Sequence, residues 1–161
     1  MKSIYCMLIL SVFALACSNE REVKTDAADT LEIKNSSQIT TSPYSVEYDE
    51  NTQNLSLIKS RENAMDASVA DIIRVLNQKY EGIKLDLVNE GTDTVEVKID
   101  DASKLNQQMG TAGAEAYLAE LTFSFTELKG VKAVKIDFEE GDHAMPGVYS
   151  RDDFNNLTVN K

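Results

Sequence analysis

The chain contains no tryptophan, one histidine, two cysteines and two prolines among its 161 residues. Each scarcity excludes something. A single imidazole, His143, falls short of the His and Cys ligand sets that transition-metal and structural zinc sites draw on. Cys6 and Cys17 both lie in the first seventeen residues, so the remainder has no thiol for an internal disulfide and must be stabilised by ordinary packing. Basic residues are also in deficit: 16 Lys and Arg stand against 27 Asp and Glu, a formal net charge of −11. That balance repels nucleic acid and anionic headgroups, and Lys129, Lys132 and Lys135 are too few to build a basic patch. Long apolar runs are confined to residues 4–15, broken only by Ser11, which is too short to span a bilayer as a mature helix.

That run is informative in its own right. Lys2 gives it a basic start, and Ala14-Leu15-Ala16 leads directly into Cys17. Small residues before a cut site suit signal peptidases. A cysteine in that place resembles a bacterial lipobox, with Ala14 standing where leucine is usual. The expectation is a lipoprotein signal peptide over residues 1–16 and Cys17 as the acylated first residue of the mature chain, palmitate being the expected type of acyl group. The alternative is an ordinary secretory peptide with an unmodified Cys17. With so acidic a surface, membrane attachment would rest on acyl chains, several of which hold firmly where one binds reversibly. Residues 17–43 are rich in Ser, Thr, Asn, Asp and Glu, show no helical period, and read as a flexible acidic tether. The opening Cys17-Ser18-Asn19-Glu20-Arg21-Glu22 resembles the acidic start of some surface-exported lipoproteins. The expected location is the bacterial cell envelope, at the outer membrane, facing the periplasm or the surface.

One modest domain remains, over residues 44–150, followed by a weakly structured tail, 151–161. Tyr44, Val46 and Tyr48 alternate with polar residues, which predicts a strand; Leu55 to Ile58 offer a second. Met65, Val69, Ile72, Ile73, Leu76 and Tyr80 recur at helical spacing, with Asn63 and Asp66 as candidate cap and Gly82 as terminator. Ile83, Leu85 and Leu87, then Val95, Val97 and Ile99, form the two arms of a hairpin turned at Gly91, with charges on its water face. A second helix is expected to start at Thr111 and to carry Ala114, Tyr117, Leu118, Leu121, Phe125 and Leu128 on one stripe, closing at Gly130. Val134, Ile136 and Phe138 alternate as a strand, and Val148-Tyr149 suits a short edge strand. This order implies an α+β, two-layer domain: one mostly antiparallel or mixed sheet with two helices packed on one face.

The run from Gly110 to Ile136, with Thr122 to Thr126 and Gly130-Val131 inside it, resembles the GerMN domain, as do Leu87 to Gly91 and Thr94 to Val97 in the hairpin and Tyr44 to Asp49 in the first strand. The family's Asp-Gly turn after the last long strand is replaced by Glu139-Glu140-Gly141-Asp142, and its longer helix-to-hairpin loop by Glu81-Gly82. The resemblance implies a domain of spore-germination, sporulation and other envelope lipoproteins, without a general catalytic residue set. It does not imply sporulation here.

Chemistry-bearing motifs are sparse. His143 lies beside Glu139, Glu140 and Asp142, but the ligand set is poor for zinc, and the EF-hand pattern for calcium is absent. Acid pairs such as Asp100-Asp101 and Asp152-Asp153 are too common in this composition to single one out. Gly110-Thr111-Ala112-Gly113 offers backbone N–H groups to an anion at a helix start, or simply a compact join. No nucleophile elbow, phosphate loop or dinucleotide fingerprint occurs, and no cofactor or metal is expected. Two functions follow. The first is a non-catalytic, lipid-anchored interaction or scaffolding module with an envelope-protein or peptidoglycan partner, acting through a sheet face or edge strand. Tyr44, Tyr48, Tyr149 and Phe154 are its contact candidates where exposed, the two strand tyrosines being expected in the core. The second is a small-ligand or glycan binder, conceivably hydrolytic, using the carboxylates around Glu139 to Asp142, which requires a concave pocket with two convergent, partly buried acids.

Overall fold

The computed structural model describes residues 39–60 and 67–160. The signal peptide, Cys17, nearly all of the tether, and the Asn63, Met65 and Asp66 assignments lie outside them.

The chain forms β1 (Tyr44–Asp49), β2 (Asn54–Lys59), α1 (Val69–Lys79), β3 (Leu85–Glu90) and β4 (Thr94–Ile99). A π-helical turn (Lys104–Gln108), α2 (Gly110–Phe125) and β5 (Ala133–Asp137) follow, then β6 (Gly147–Ser150), a 3-10 turn (Arg151–Phe154) and β7 (Thr158–Asn160). The class is α+β. The strands, however, divide between two sheets rather than joining one: β1-β2-β7, and β3-β4-β5-β6. The tail is not loose either, since Leu157 is buried and β7 pairs in parallel with β2.

The four-stranded sheet is mixed. The β3–β4 and β5–β6 pairs are antiparallel, while β4 and β5 are parallel. A parallel pair cannot be joined by a hairpin, so α2 makes the crossover. Leu85, Val95, Val97, Ile99, Val134 and Ile136 line the buried face, with α1 packed on β3 and α2 on β5 and β6. The opposite face alternates charge, and Lys135 reaches Glu96 across the parallel pair at 3.1 Å. Both helices thus lie on one face of this sheet, and the hairpin charges face water.

The second sheet exists because α2 is apolar on more than one side. Every residue from Tyr117 to Phe125 is buried, including Glu120, Thr122 and Ser124. A helix buried all round needs cover on both flanks, and β1 and β2 supply the second. Tyr44 meets Phe123 edge-on at 5.3 Å, and Ser42 bonds Ser124 at 2.7 Å. The single stripe read from the sequence captures only part of the buried surface of α2.

Local signals explain the boundaries. Ser68 caps α1, bonding the Asp71 N–H while the Asp71 carboxylate takes the Ser68 N–H, a reciprocal capping box. Gly82 and Gly130 hold positive φ as expected. Gly91 does not; it is required because a Cβ there would approach the Thr94 carbonyl oxygen to 2.7 Å, inside the hairpin turn. Thr111 is not the cap of α2: the helix begins at Gly110, which takes a positive φ of 68° after Met109, and no side chain caps its start.

Candidate interaction surface

The interior encloses a polar cluster around Glu120. Glu120 on α2 has no solvent access, and its Oε2 accepts from Lys79 Nζ at 2.6 Å and from the Tyr80 hydroxyl at 2.8 Å. Tyr80 also stands edge-on to Tyr117, with ring centres 4.9 Å apart. Burial, followed by the Glu120 charge, pushes both phenols well above their ordinary range. Glu120 Oε1 and the Tyr117 hydroxyl have no hydrogen-bond partner among the described residues. The cluster ties α1 to α2 within the core.

A second node sits at the far end of α2. Glu127 receives Tyr44 from β1, Lys59 from β2 and Arg151 from the 3-10 turn, the last at 3.0 Å. Burial works to raise its pKa, but hydrogen bonds from Lys59 and Arg151 outweigh this and hold it below the ordinary range. Arg151 also bonds the Phe123 carbonyl, placing a cation at the α2 C-terminus, where the helix dipole favours it. One carboxylate thereby ties the three-stranded sheet and the 3-10 turn after β6 together beside the end of α2.

Outside this interior, the large exposed apolar side chains among the described residues follow a rule. They are Tyr48 on β1, Leu87 and Val88 on β3, Val148 on β6, Val159 on β7, and Met145 just before β6. Those four strands are the outer strands of the two sheets. Val88 is 55% and Val148 62% exposed. Val88 is also the extra residue of a bulge, because Leu87 pairs with Val97 and Asn89 with the next residue along, Glu96. Edge strands present unpaired backbone groups, and proteins that stay solitary cover or charge them. Here they carry these apolar side chains alongside charges, Glu47 and Asp49 on β1 and Asp86 and Glu90 on β3.

The acidic loop lies between β5 and β6. Glu139, Glu140 and Asp142 are all exposed. Two cavities flank the loop. One of about 180 Å³ is lined by Asp100, Asp101, Asn106, Glu139 and Glu140 among others. The other, about 450 Å³, includes Thr111, His143, Met145 and Tyr149. Hydrogen bonding and charge from Lys98 hold Asp100 below its ordinary pKa, and hydrogen bonds from Ser103 do the same for Asp101. Glycoside cleavage needs one acid raised, not lowered. His143 Nδ1 meets the Thr111 hydroxyl at 3.1 Å, and among the described residues no three His, Cys, Asp or Glu side chains converge as metal ligands.

Of the aromatic contact candidates, Tyr44 and Phe154 are buried, Tyr149 is half-buried and stacks on Phe154 at 6.0 Å, and Tyr48 alone is open, 51% exposed. Val148 and Tyr149 do lie on an edge strand, β6. Val88 and Met145 escaped notice because neither belongs to an alternating pattern. Asn106 gave no sequence signal at all. Comparison of the chain with protein-family models, with curated proteins and with solved structures finds no match.

Proposed function

We propose that this chain is a non-catalytic, lipid-anchored interaction module of the bacterial cell envelope. It is held to the membrane by acyl chains on Cys17 and engages an envelope protein through its sheet edges. The observation that carries this reading is the placement of the exposed apolar side chains on or beside the outer strands of both sheets. An added strand from a partner would satisfy the backbone, and these side chains would give it register and affinity. The GerMN-like pattern over residues 91–136 and the lipobox-like Cys17 support the same assignment. The glycan-hydrolysing alternative draws less support, because its carboxylates Glu139, Glu140 and Asp142 are all exposed rather than partly buried.

The test is photocrosslinking in intact cells from a benzophenone amino acid placed at Val88 or Val148, with Asp137 on the exposed face of β5 as control. Discrete adducts from the edge positions, absent at Asp137 and diminished by Cys17→Ala, are expected. Identical patterns at all three positions, or none at any, would remove the basis for the proposal.

A further inference from the structure

Resting on that reading, we infer that the 139–143 loop and its two flanking cavities form a docking surface for a cationic segment of a partner protein, with lysines beside apolar residues. The first observation is Asn106. It is 4% exposed and lines the smaller cavity, where its Nδ2 donates to the Glu139 carbonyl. Its Oδ1 has no partner among the described residues. Buried carbonyl acceptors are usually met, so this one would gain from an added donor. Gly141 closes over this amide: a Cβ at that position would come within 2.5 Å of Asn106 Cβ.

The second observation is the charge balance. Eight ion pairs neutralise carboxylates elsewhere in the described residues, and none includes Glu139, Glu140 or Asp142. Neither cavity has a Lys or Arg among its described lining residues. The larger cavity shares Glu140 and Gly141 with the smaller and adds an apolar wall from Leu118, Met145, Tyr149 and Phe154. Met145 is 60% exposed at its margin, beside the β6 edge that carries Val148.

These features select the occupant. A single metal ion fits poorly, since no three acidic or His side chains converge. A lysine ammonium brings three donors, enough for the Asn106 amide at the floor and carboxylates at the rim. Its alkyl stem and an apolar neighbour would cover Met145 and Tyr149. Charge complementarity of this kind sets partner choice and encounter rate more than raw affinity.

The experiment titrates the processed, isotope-labelled protein with a synthetic peptide of alternating lysine and valine, its glutamate–valine counterpart, and calcium chloride alone. The lysine peptide is expected to shift the amides of Asn106, Gly141, Met145 and Val148, and the glutamate peptide to shift none of them. Glu139→Gln/Glu140→Gln/Asp142→Asn is expected to weaken the lysine peptide about tenfold, with α2 amides unchanged as the folding control. Glu50→Gln/Glu81→Gln/Asp93→Asn removes equal charge at exposed positions off the edge strands and is expected to weaken it no more than about twofold. Equal weakening by the two variants, shifts centred away from the loop, or the same shifts with calcium alone would overturn the inference. Persistence of the edge-strand crosslinks in the loop variant would also reject this surface, while leaving the broader interaction reading intact.

Discussion

The buried Lys79–Glu120 pair makes an asymmetric prediction. Glu120 is fully enclosed, whereas the Lys79 side chain retains 40% exposure. Removing the lysine, as in Lys79→Met, strands a buried carboxylate with only the Tyr80 hydroxyl at 2.8 Å to support it. Breaking a buried pair in that direction costs about 3–5 kcal/mol. Removing the negative charge, as in Glu120→Gln, frees an ammonium that can turn into water, while the new amide still accepts from Tyr80. That change costs about 1–2 kcal/mol. With a urea dependence of about 2 kcal/mol per molar, the midpoints fall by roughly 1.5–2.5 M and 0.5–1 M respectively. Tyrosine fluorescence and far-ultraviolet dichroism serve as probes, because the chain has no tryptophan. The double variant should be more stable than Lys79→Met alone, since it holds no stranded charge. A Lys79→Met loss below about 1 kcal/mol, or a larger loss in Glu120→Gln, would refute the pairing as the reason Glu120 is tolerated inside.

Three further outcomes are expected. Because Glu127 is held below its ordinary value of 4.5, it stabilises the fold above that pH, and the contribution is lost as pH falls through its lower folded-state value; Arg151→Ala should flatten the acid limb of a stability-against-pH curve. Tyr80 and Tyr117 are shifted the other way from 10.0, so the stability they confer is complete below pH 10 and lost above it. Tyrosinate absorbance should show both phenols ionising only as the fold opens, not in the native state. Ser68→Ala removes one arm of the α1 capping box and should lower unfolding free energy by about 1 kcal/mol in denaturant titration.

Much of this fold was legible in the sequence where one face met water. Val95, Val97 and Ile99 alternate with charged or polar neighbours and β4 follows from that period, whereas in β3 Leu85 is buried but Leu87, expected beside it, is exposed where the Val88 bulge shifts the register. The α1 stripe was equally plain. The central helix was not, because burial on every side erases amphipathic contrast, and Glu120, Thr122 and Ser124 look like water-facing residues until their partners are seen. The second sheet hid for a related reason. It is completed by Thr158 to Asn160 pairing with Ser56 to Ile58, a parallel contact about a hundred residues apart in sequence, beyond any local pattern. At the candidate surface, the acidic loop could be read from composition, and the Val148-Tyr149 pair pointed to the β6 edge. The cavity around Asn106 could not, since its unmet acceptor arises from packing against Gly141.

Amide hydrogen exchange on the processed protein most directly tests the central claim, that α2 is sealed between two sheets and binding is left to the sheet edges. The α2 amides from Tyr117 to Phe125 should be the slowest in the molecule, opening only with global unfolding, while the outer strands β3 and β6 exchange by local opening. Rapid exchange along α2, or β6 amides as protected as those of β4, would contradict it.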